Sequence, residues 1–370
     1  MATMGFAGAN TLSQEGQKRA AILVTGGAGF IGSNFVPYFC QQHPEYLVVN
    51  LDKLTYAGNL EHLQECEAFP NYHFVQADIC DQPRLRALFA QYDFKGVIHF
   101  AAESHVDNSI EGPQAFMDSN IMGTFNLLQC AYLQWMSGPQ QVKQGYEGCR
   151  FHQISTDEVY GSLGDTGLFS ENSPYAPNSP YSASKASADM IVRAYNRTYG
   201  LNTTISHCSN NYGPKQHVEK LIPKVIRCCL EGKSIPIYGT GKNVRDWIYV
   251  LDHCTAVDEI FHQGRAGESY NVGGHQELDN LTLVHQICSL LDEMCPRPKQ
   301  HGKSESGEQM NSSYADLITF VQDRAGHDFR YAIDDSKLRT ELGWQPQETF
   351  TSGLRKTVAW FLSESNTIGV

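Results

Sequence analysis

Between the apolar run Ala20–Thr25 and a helical pattern that begins at Phe30 stands Gly26-Gly27-Ala28-Gly29-Phe30-Ile31-Gly32. A backbone that leaves a strand and enters a helix in so few residues has little room for side chains, so the glycines predict a tight strand–turn–helix. Amide groups at the start of such a helix form an anion-binding end that suits a pyrophosphate. Gly26, Gly29 and Gly32 are therefore candidate cofactor residues. Asp52 ends the second apolar run 20 residues after Gly32. An acid there accepts hydrogen bonds from ribose hydroxyls and repels a 2′-phosphate, which favours NAD over NADP. A glycine turn without a ligand is the plainer alternative; the flanking strand, the helix and Asp52 argue against it.

The same rhythm continues along the chain. Apolar, β-branched runs at Ala20–Thr25, Tyr46–Asp52, His73–Gln76, Gly96–Ala101, Arg150–Ser155 and Thr203–Cys208 read as strands. Helical spacing marks Phe30–His43, Gln82–Tyr92, Pro113–Trp135 and Pro180–Tyr199. This alternation predicts a doubly wound parallel α/β sheet, and the near-continuous hydrophobicity of the strands fits burial on both faces. Pro37 is expected to kink or shorten the first helix. After about residue 210 the rhythm loosens, with helices at Lys220–Leu230, Leu251–His262, Leu281–Met294 and Gly353–Ser363 and short strands near Ile235–Tyr238 and Ser269–Val272. The expected division is a flexible tail at 1–18, a cofactor domain over 19–210 that regains part of 240–275, and a smaller domain over 211–365. Gly138–Gly148 and the polar stretch Arg297–Ser313 read as loops.

Composition removes other classes. With 28 Lys and Arg against 40 Asp and Glu, the net charge of −12 disfavours nucleic acid as a partner. Nothing near 18 consecutive apolar residues exists, so no membrane span is expected. The eleven cysteines are odd in number and lack paired ligand spacing, which argues for reduced thiols in a cytoplasmic protein. No metal is called for. Residues 1–18 lack the pattern of a secretory leader.

Tyr181 and Lys185 stand four apart on one helix face in Tyr181-Ser182-Ala183-Ser184-Lys185. An ammonium beside a phenol lowers its pKa from about 10 and makes it a usable base. Such a pair is common on any surface helix, but a glycine loop upstream and a strand ending in Ser155-Thr156 favour the catalytic reading. Thr156 would hydrogen-bond the hydroxyl that Tyr181 deprotonates. Asp157 and Glu158 follow at the strand's carboxyl edge, where open α/β sheets hold ligands. A helix cap would explain one acid. Two suggest an acid and a base with separated pKa values, as a β-elimination requires.

These stretches resemble the dTDP-glucose 4,6-dehydratases, extended short-chain dehydrogenase/reductases of nucleotide-sugar metabolism. The matching segments are LVTGGAGFIGSN, LDKLTYAGNL, FAAESHVDNSI, STDEVYG, SPYSASKAS, CSNNYGP, EKLIP, PIYGTGKNVRDWIYV, YNVGG and LGWQPQETF, in family order. Sister epimerases share the glycine loop and the Tyr/Lys pair but lack the Asp-Glu dyad. The resemblance implies a Rossmann-type domain with a smaller C-terminal substrate domain, a nucleotide-sugar substrate and a homodimer joined through helices 113–135 and 180–199. Apolar residues assigned to that interface are Phe116, Ile121, Phe125, Leu128, Met190, Ile191, Ala194 and Tyr195.

It further implies that Phe30, Ile31, Asp52, Lys53, Leu54, Thr55, Asp78, Ile79, Ala101, Ala102, Glu103, Ser119, Tyr181, Lys185 and Asn211 hold NAD. Thr156, Asp157, Glu158, Tyr181 and Lys185 would carry the chemistry. Ser104, Thr156, Asn210, Lys220, Leu221, Pro236, Tyr238, Arg245, Asn280, Arg324 and His327 would hold the nucleotide sugar, with the two arginines on its diphosphate. Asn108, the run Lys215-Gln216-His217-Val218 and Ala325 depart from the family pattern. They leave dTDP and UDP both open, with a 4-epimerase and a non-catalytic NAD sensor as further alternatives.

Overall fold

The computed structural model of the protein describes residues 19–297, 313–323 and 326–368, with side chains of the last helix described to residue 364. The expected tail at 1–18 and most of the expected loop at 297–313 lie outside the described residues. Seven strands form the central sheet: β1 (Ala20–Thr25), β2 (Tyr46–Asp52), β3 (Tyr72–Gln76), β4 (Phe94–His99), β5 (Arg150–Thr156), β6 (Thr203–Cys208) and β7 (Ser269–Val272). Their order is β3-β2-β1-β4-β5-β6-β7 and every pairing is parallel. The order reverses between β1 and β4, and ligands of such sheets bind at the carboxyl ends of the strands beside that reversal.

Alternate residues of one strand feed opposite cores. Ala21 and Leu23 of β1 pack with Phe94, Leu127 and Trp135, whereas Ile22 and Val24 pack with Phe35, Phe39, Val257 and Phe261. Burial on both faces is why the strands read as continuous apolar runs rather than alternating ones. A separate core joins Tyr212, Ile226, Ile235, Trp247, Leu283, Ile287 and Leu354 outside the central sheet. Helix Val250–Gln263 covers β1, and β7 then joins the sheet beside β6.

Several elements differ from the sequence reading. The pattern over 113–135 is a short helix Gln114–Phe116, a wide π-type turn Met117–Gly123 and a helix Thr124–Trp135. Within the wide turn the Thr124 hydroxyl donates to the Asn120 carbonyl at 2.6 Å. The Asn120 side chain turns out of the helix, accepting from Glu103 N at 2.8 Å and donating to Ser184 Oγ at 2.8 Å. The expected loop at 138–148 begins as a hairpin, Met136–Gly138 with Gln141–Val142. Short strands at Asn210–Tyr212, Val244–Tyr249 and Glu277–Asp279 form a further sheet, and Ile235–Tyr238 pairs with Ile318–Val321. Ile235–Tyr238 lies where the sequence placed it; Asn210–Tyr212, Glu277–Asp279 and Ile318–Val321 are too short to show a period, and Arg245 and Asp246 interrupt the apolar pattern of Val244–Tyr249.

Pro37 does not end the first helix, which runs from Phe30 to Gln42. A proline removes the N–H that would bond the carbonyl four residues earlier, here that of Ser33. Lys215, held in a left-handed conformation at φ 69°, supplies the missing donor: its Nζ lies 3.0 Å from Ser33 O and 2.9 Å from His62 O. The helix continues because a side chain 182 residues away satisfies the carbonyl that Pro37 leaves free.

Lys215→Met should lower stability by about 1–3 kcal/mol, because two part-buried carbonyls lose a charged donor. In a Pro37→Ala background the restored N–H satisfies Ser33, so the same change should cost measurably less. Chemical denaturation of the four proteins gives the coupling, and strict additivity would show that Lys215 does not serve this carbonyl.

Candidate active site

The glycines divide by what a side chain would meet. A Cβ on Gly26 (φ 74°) would lie 2.5 Å from Ala101 N, and one on Gly32 would lie 2.2 Å from Gly26 O. Those two are required by the chain's own packing. A Cβ on Gly29 would meet only Gly26 O, at 3.3 Å, and would otherwise project into a cleft. No side chain caps the helix that starts after Gly29, so its amide end is available to a ligand. An open glycine at an uncapped helix start fits a bound pyrophosphate.

Asp52 is buried at the end of β2, and both of its oxygens are used by the backbone: Oδ2 accepts from Ala28 N at 2.9 Å and Oδ1 from Leu54 N at 2.8 Å. A carboxylate oxygen has more than one acceptor site, so the ribose role stays compatible with this second one, bracing the glycine turn. Lys53 pairs with Asp78 at 2.7 Å, which pulls the Asp78 carboxyl below its ordinary value although burial opposes this.

One cleft at the carboxyl ends of the strands brings together Gly26, Gly29, Phe30, Ile31, Gly32, Asp52, Lys53 and Thr55 from the first two βα turns. Asp78, Ile79, Ala101, Ala102, Glu103, Ser104 and Ser119 line its middle. Thr156, Asp157, Glu158, Tyr181, Lys185, Asn210, Asn211 and Lys220 close its far end. Leu54, Leu221, Pro236, Tyr238, Arg245, Asn280 and His327 are not among the lining residues. Tyr238 and His327 meet edge-on at 6.4 Å in the smaller domain. Arg245 is buried, donates to the carbonyls of Val244 and Asp328 at 2.7 and 3.0 Å, and stacks on Tyr331. Arg324 lies outside the described residues.

Thr156 ends β5, and Asp157–Tyr160 follows as a single 3-10 turn. The Thr156 hydroxyl caps that turn, accepting from Glu158 N at 3.3 Å. Gly161 then reverses the chain at φ 89°, where a Cβ would lie 2.5 Å from Ala176 O. Tyr181 and Lys185 ride the first turns of helix Pro180–Tyr199, which is fixed by a capping box between Ser179 and Ser182. The backbone that carries the dyad and the pair is thus held at each end.

Burial decides the electrostatics. Asp157 is 1% exposed, and burial, the Glu158 charge and Asp246 push its carboxyl well above the usual carboxylate range. Among the described residues its Oδ2 has no hydrogen-bond partner, nor does Oε1 of Gln216, which lines the same cleft. Tyr181 departs from the sequence expectation: burial and the Glu158 charge hold its phenol well above 10. Lys185 is directed at Ile154 O, 2.7 Å away, and burial lowers its ammonium while Asp189 opposes the shift. In the chain alone the lysine does not overcome the desolvation of the phenol.

Asn120 and Glu219 escaped the sequence reading, and Gln216 and His217 entered it only as a departure from the family pattern. Asn120 ties Glu103 on the cofactor wall to Ser184, between Tyr181 and Lys185. No local pattern marks it, because its partners are 17 and 64 residues away.

Residues 23–357 match the family described as GDP-mannose 4,6 dehydratase. A dTDP-glucose 4,6-dehydratase of Neisseria meningitidis is 54% identical over 342 residues, covering 92% of this chain and 93% of that protein. The fold is similar to the crystal structure of dTDP-glucose 4,6-dehydratase from Bacillus anthracis in complex with NAD, with TM-score 0.78, 44% identity, and 94% and 98% of the two chains covered. It is also similar to a dTDP-glucose 4,6-dehydratase from Streptomyces venezuelae solved with NAD and a second ligand bound, with TM-score 0.81, 42% identity and the same coverage.

A carboxyl whose pKa is raised on folding binds a proton that the unfolded chain has already released. Stability is then lost as pH rises from the unfolded value of about 3.9 towards the folded one. Asp157→Asn removes this penalty, so its melting temperature should exceed that of the wild type at pH 7 and converge with it near pH 4. Equal melting temperatures at both pH values would mean that Asp157 is not held neutral.

Proposed function

We propose, from the premise that the chain belongs to the dTDP-glucose 4,6-dehydratases within the GDP-mannose 4,6 dehydratase family, that it converts dTDP-glucose to dTDP-4-keto-6-deoxyglucose. It is an NAD-dependent hydro-lyase with a Rossmann-type fold. The observation that carries this reading is a buried carboxyl, raised well above the usual carboxylate range, beside a second carboxyl at the cofactor cleft, which an oxidoreductase or epimerase does not need.

Gly29 and the first amides of helix Phe30–Gln42 would hold the cofactor's pyrophosphate, Asp52 its ribose, and Tyr181 and Lys185 its reacting end. Bound NAD supplies a hydride acceptor for carbon 4 and a donor for carbon 6, and its cationic ring adds the positive charge that favours the Tyr181 phenolate. Thr156 would orient the carbon-4 hydroxyl while Tyr181 removes its proton. The ketone acidifies carbon 5, from which Glu158 takes a proton. Asp157, held protonated by its burial, gives a proton to the departing carbon-6 hydroxyl, so one carboxyl acts as acid while its neighbour acts as base. Proton return from Glu158 to carbon 5 completes the product.

The division into a cofactor domain over 19–210 with a returning segment and a substrate domain over 211–365 is supported by the separate core around Ile226, Trp247 and Leu283. Free thiols at all eleven cysteines support a reducing, cytoplasmic setting. Among the described residues no helix is long and apolar enough to cross a membrane. A homodimer through helices 113–135 and 180–199 is supported by exposed Met122, Leu133 and Met190. Of the residues expected there, Phe116, Leu128 and Tyr195 instead pack inward, because each faces the sheet or the neighbouring helix. Sedimentation should give twice the chain mass, and Met190→Glu should shift it towards one chain mass. A wild-type monomer at micromolar concentration would remove the interface.

Glu158→Gln preserves shape but cannot accept the carbon-5 proton. Turnover should fall by about 10²–10⁴-fold, with the enzyme-bound sugar nucleotide lighter by two hydrogens rather than by one water in quenched mass spectra. Tyr181→Phe should leave bound sugar at its original mass. Deuterium entry at carbon 5 should be slow in both. Wild-type turnover of Glu158→Gln, or one common stopping point for the two variants, would overturn the assignment. Parallel assays with UDP-glucose test the choice of nucleotide.

A further inference from the structure

Three side chains with metal-ligating atoms converge at the opposite edge of the sheet from the cleft. His43 caps the carboxyl end of helix Phe30–Gln42, just before β2 begins, and Asp258 and His262 stand one turn apart on helix Val250–Gln263. His43 Nε2 and His262 Nδ1 each lie 2.9 Å from the same oxygen, Asp258 Oδ1. All three ligand atoms fall within 4.8 Å of one another. Tetrahedral zinc, with bonds of about 2.0–2.2 Å, spaces its ligand atoms by about 3.3 Å, so small side-chain shifts reach that geometry.

The surroundings match what a metal ligand set needs. The other nitrogen of His43, Nδ1, lies 3.4 Å from Glu45 Oε1, and the Tyr38 hydroxyl donates to Asp258 Oδ2 at 2.9 Å. Such outer partners orient ligating imidazoles and carboxylates. The two imidazoles stack with centroids 4.5 Å apart, which fixes their planes. His262 and Tyr46 also line an open cavity at this edge, giving solvent access and room for a water ligand. An ion-paired triad would account for the distances alone; the partners on Glu45 and Tyr38 are what a coordination site requires besides.

We propose that His43, Asp258 and His262 bind one divalent transition cation of the zinc class, with water in the fourth position. Each imidazole then carries its proton on the nitrogen away from the metal: His43 Nδ1 donates to Glu45, and His262 Nδ1 gives up its 3.0 Å contact with the Asp258 carbonyl. The ion ties the first crossover helix to the helix that returns from the smaller domain. Borderline nitrogen and carboxylate ligands select zinc, copper or nickel over calcium or magnesium.

The test uses the full chain, stripped with a chelator and kept reduced, titrated with zinc alone in a calorimeter and in thermal unfolding. One equivalent should bind and raise the melting temperature. Cobalt(II) should give a visible band without thiolate charge-transfer absorption, which separates this site from the cysteines. His262→Gln should weaken zinc at least tenfold. Glu45→Ala, a surface change outside the ligand set, should weaken it by about 10–100-fold, and both variants should keep wild-type dehydration. The absence of a saturable equivalent, thiolate absorption with cobalt, or unchanged affinity in both variants would overturn the proposal.

Discussion

Both oxygens of Asp52 accept main-chain N–H groups, one from the glycine turn and one from the residue two places on. The first bond joins the end of β2 to the turn before the first helix, and the second fixes the chain as it leaves β2. Together they set the floor on which the rest of the cleft is assembled. The glycines fit this packing: only hydrogen fits at Gly26 against Ala101, at Gly27 against Asn50 of β2, and at Gly32 against the backbone of Gly26 and Gly27. Gly29, pressed by nothing but its own turn, is left for a ligand.

On that floor the chemistry depends on which charges the fold can bear. Two adjacent carboxyls at the end of β5 cannot both be ionised cheaply when one is 1% exposed. The more buried, Asp157, has its carboxyl pushed well above the usual carboxylate range, and Glu158 is the more exposed of the two. The same burial that prepares an acid works against Tyr181, whose phenol is raised rather than lowered. In the proposed reaction the phenol would therefore need positive charge from the bound cofactor before it could act as a base.

The chain after residue 210 is bound to the earlier part at several points. Lys215, in the loop after Asn211, satisfies the carbonyl that Pro37 frees and also that of His62. Asn211 Oδ1 hydrogen-bonds His253 Nδ1 at 2.9 Å, tying the cleft wall to helix Val250–Gln263. Lys220 Nζ donates to Ser104 O at 2.8 Å across the cleft mouth. Each contact joins segments far apart in sequence, so the cleft keeps its shape only when both parts of the chain are folded.

Local periodicity was enough for the parallel sheet, because burial on both faces writes itself into each strand as an apolar run such as Ala20–Thr25. The glycine turn, Asp52, the Tyr181/Lys185 pair and the Asp157–Glu158 dyad were legible for a similar reason: each is a short-range spacing that local backbone geometry demands. Tertiary structure alone decided the rest. Pro37 survives inside a helix through a lysine 182 residues away, and Asn120 acquires its role from Glu103 and Ser184. His43 finds Asp258 across 215 residues. The raised pKa of Tyr181, opposite to the direction expected from Lys185, also lay beyond sequence, since a pKa is set by desolvation and by neighbouring charge. Neither exists until the chain has closed around the group.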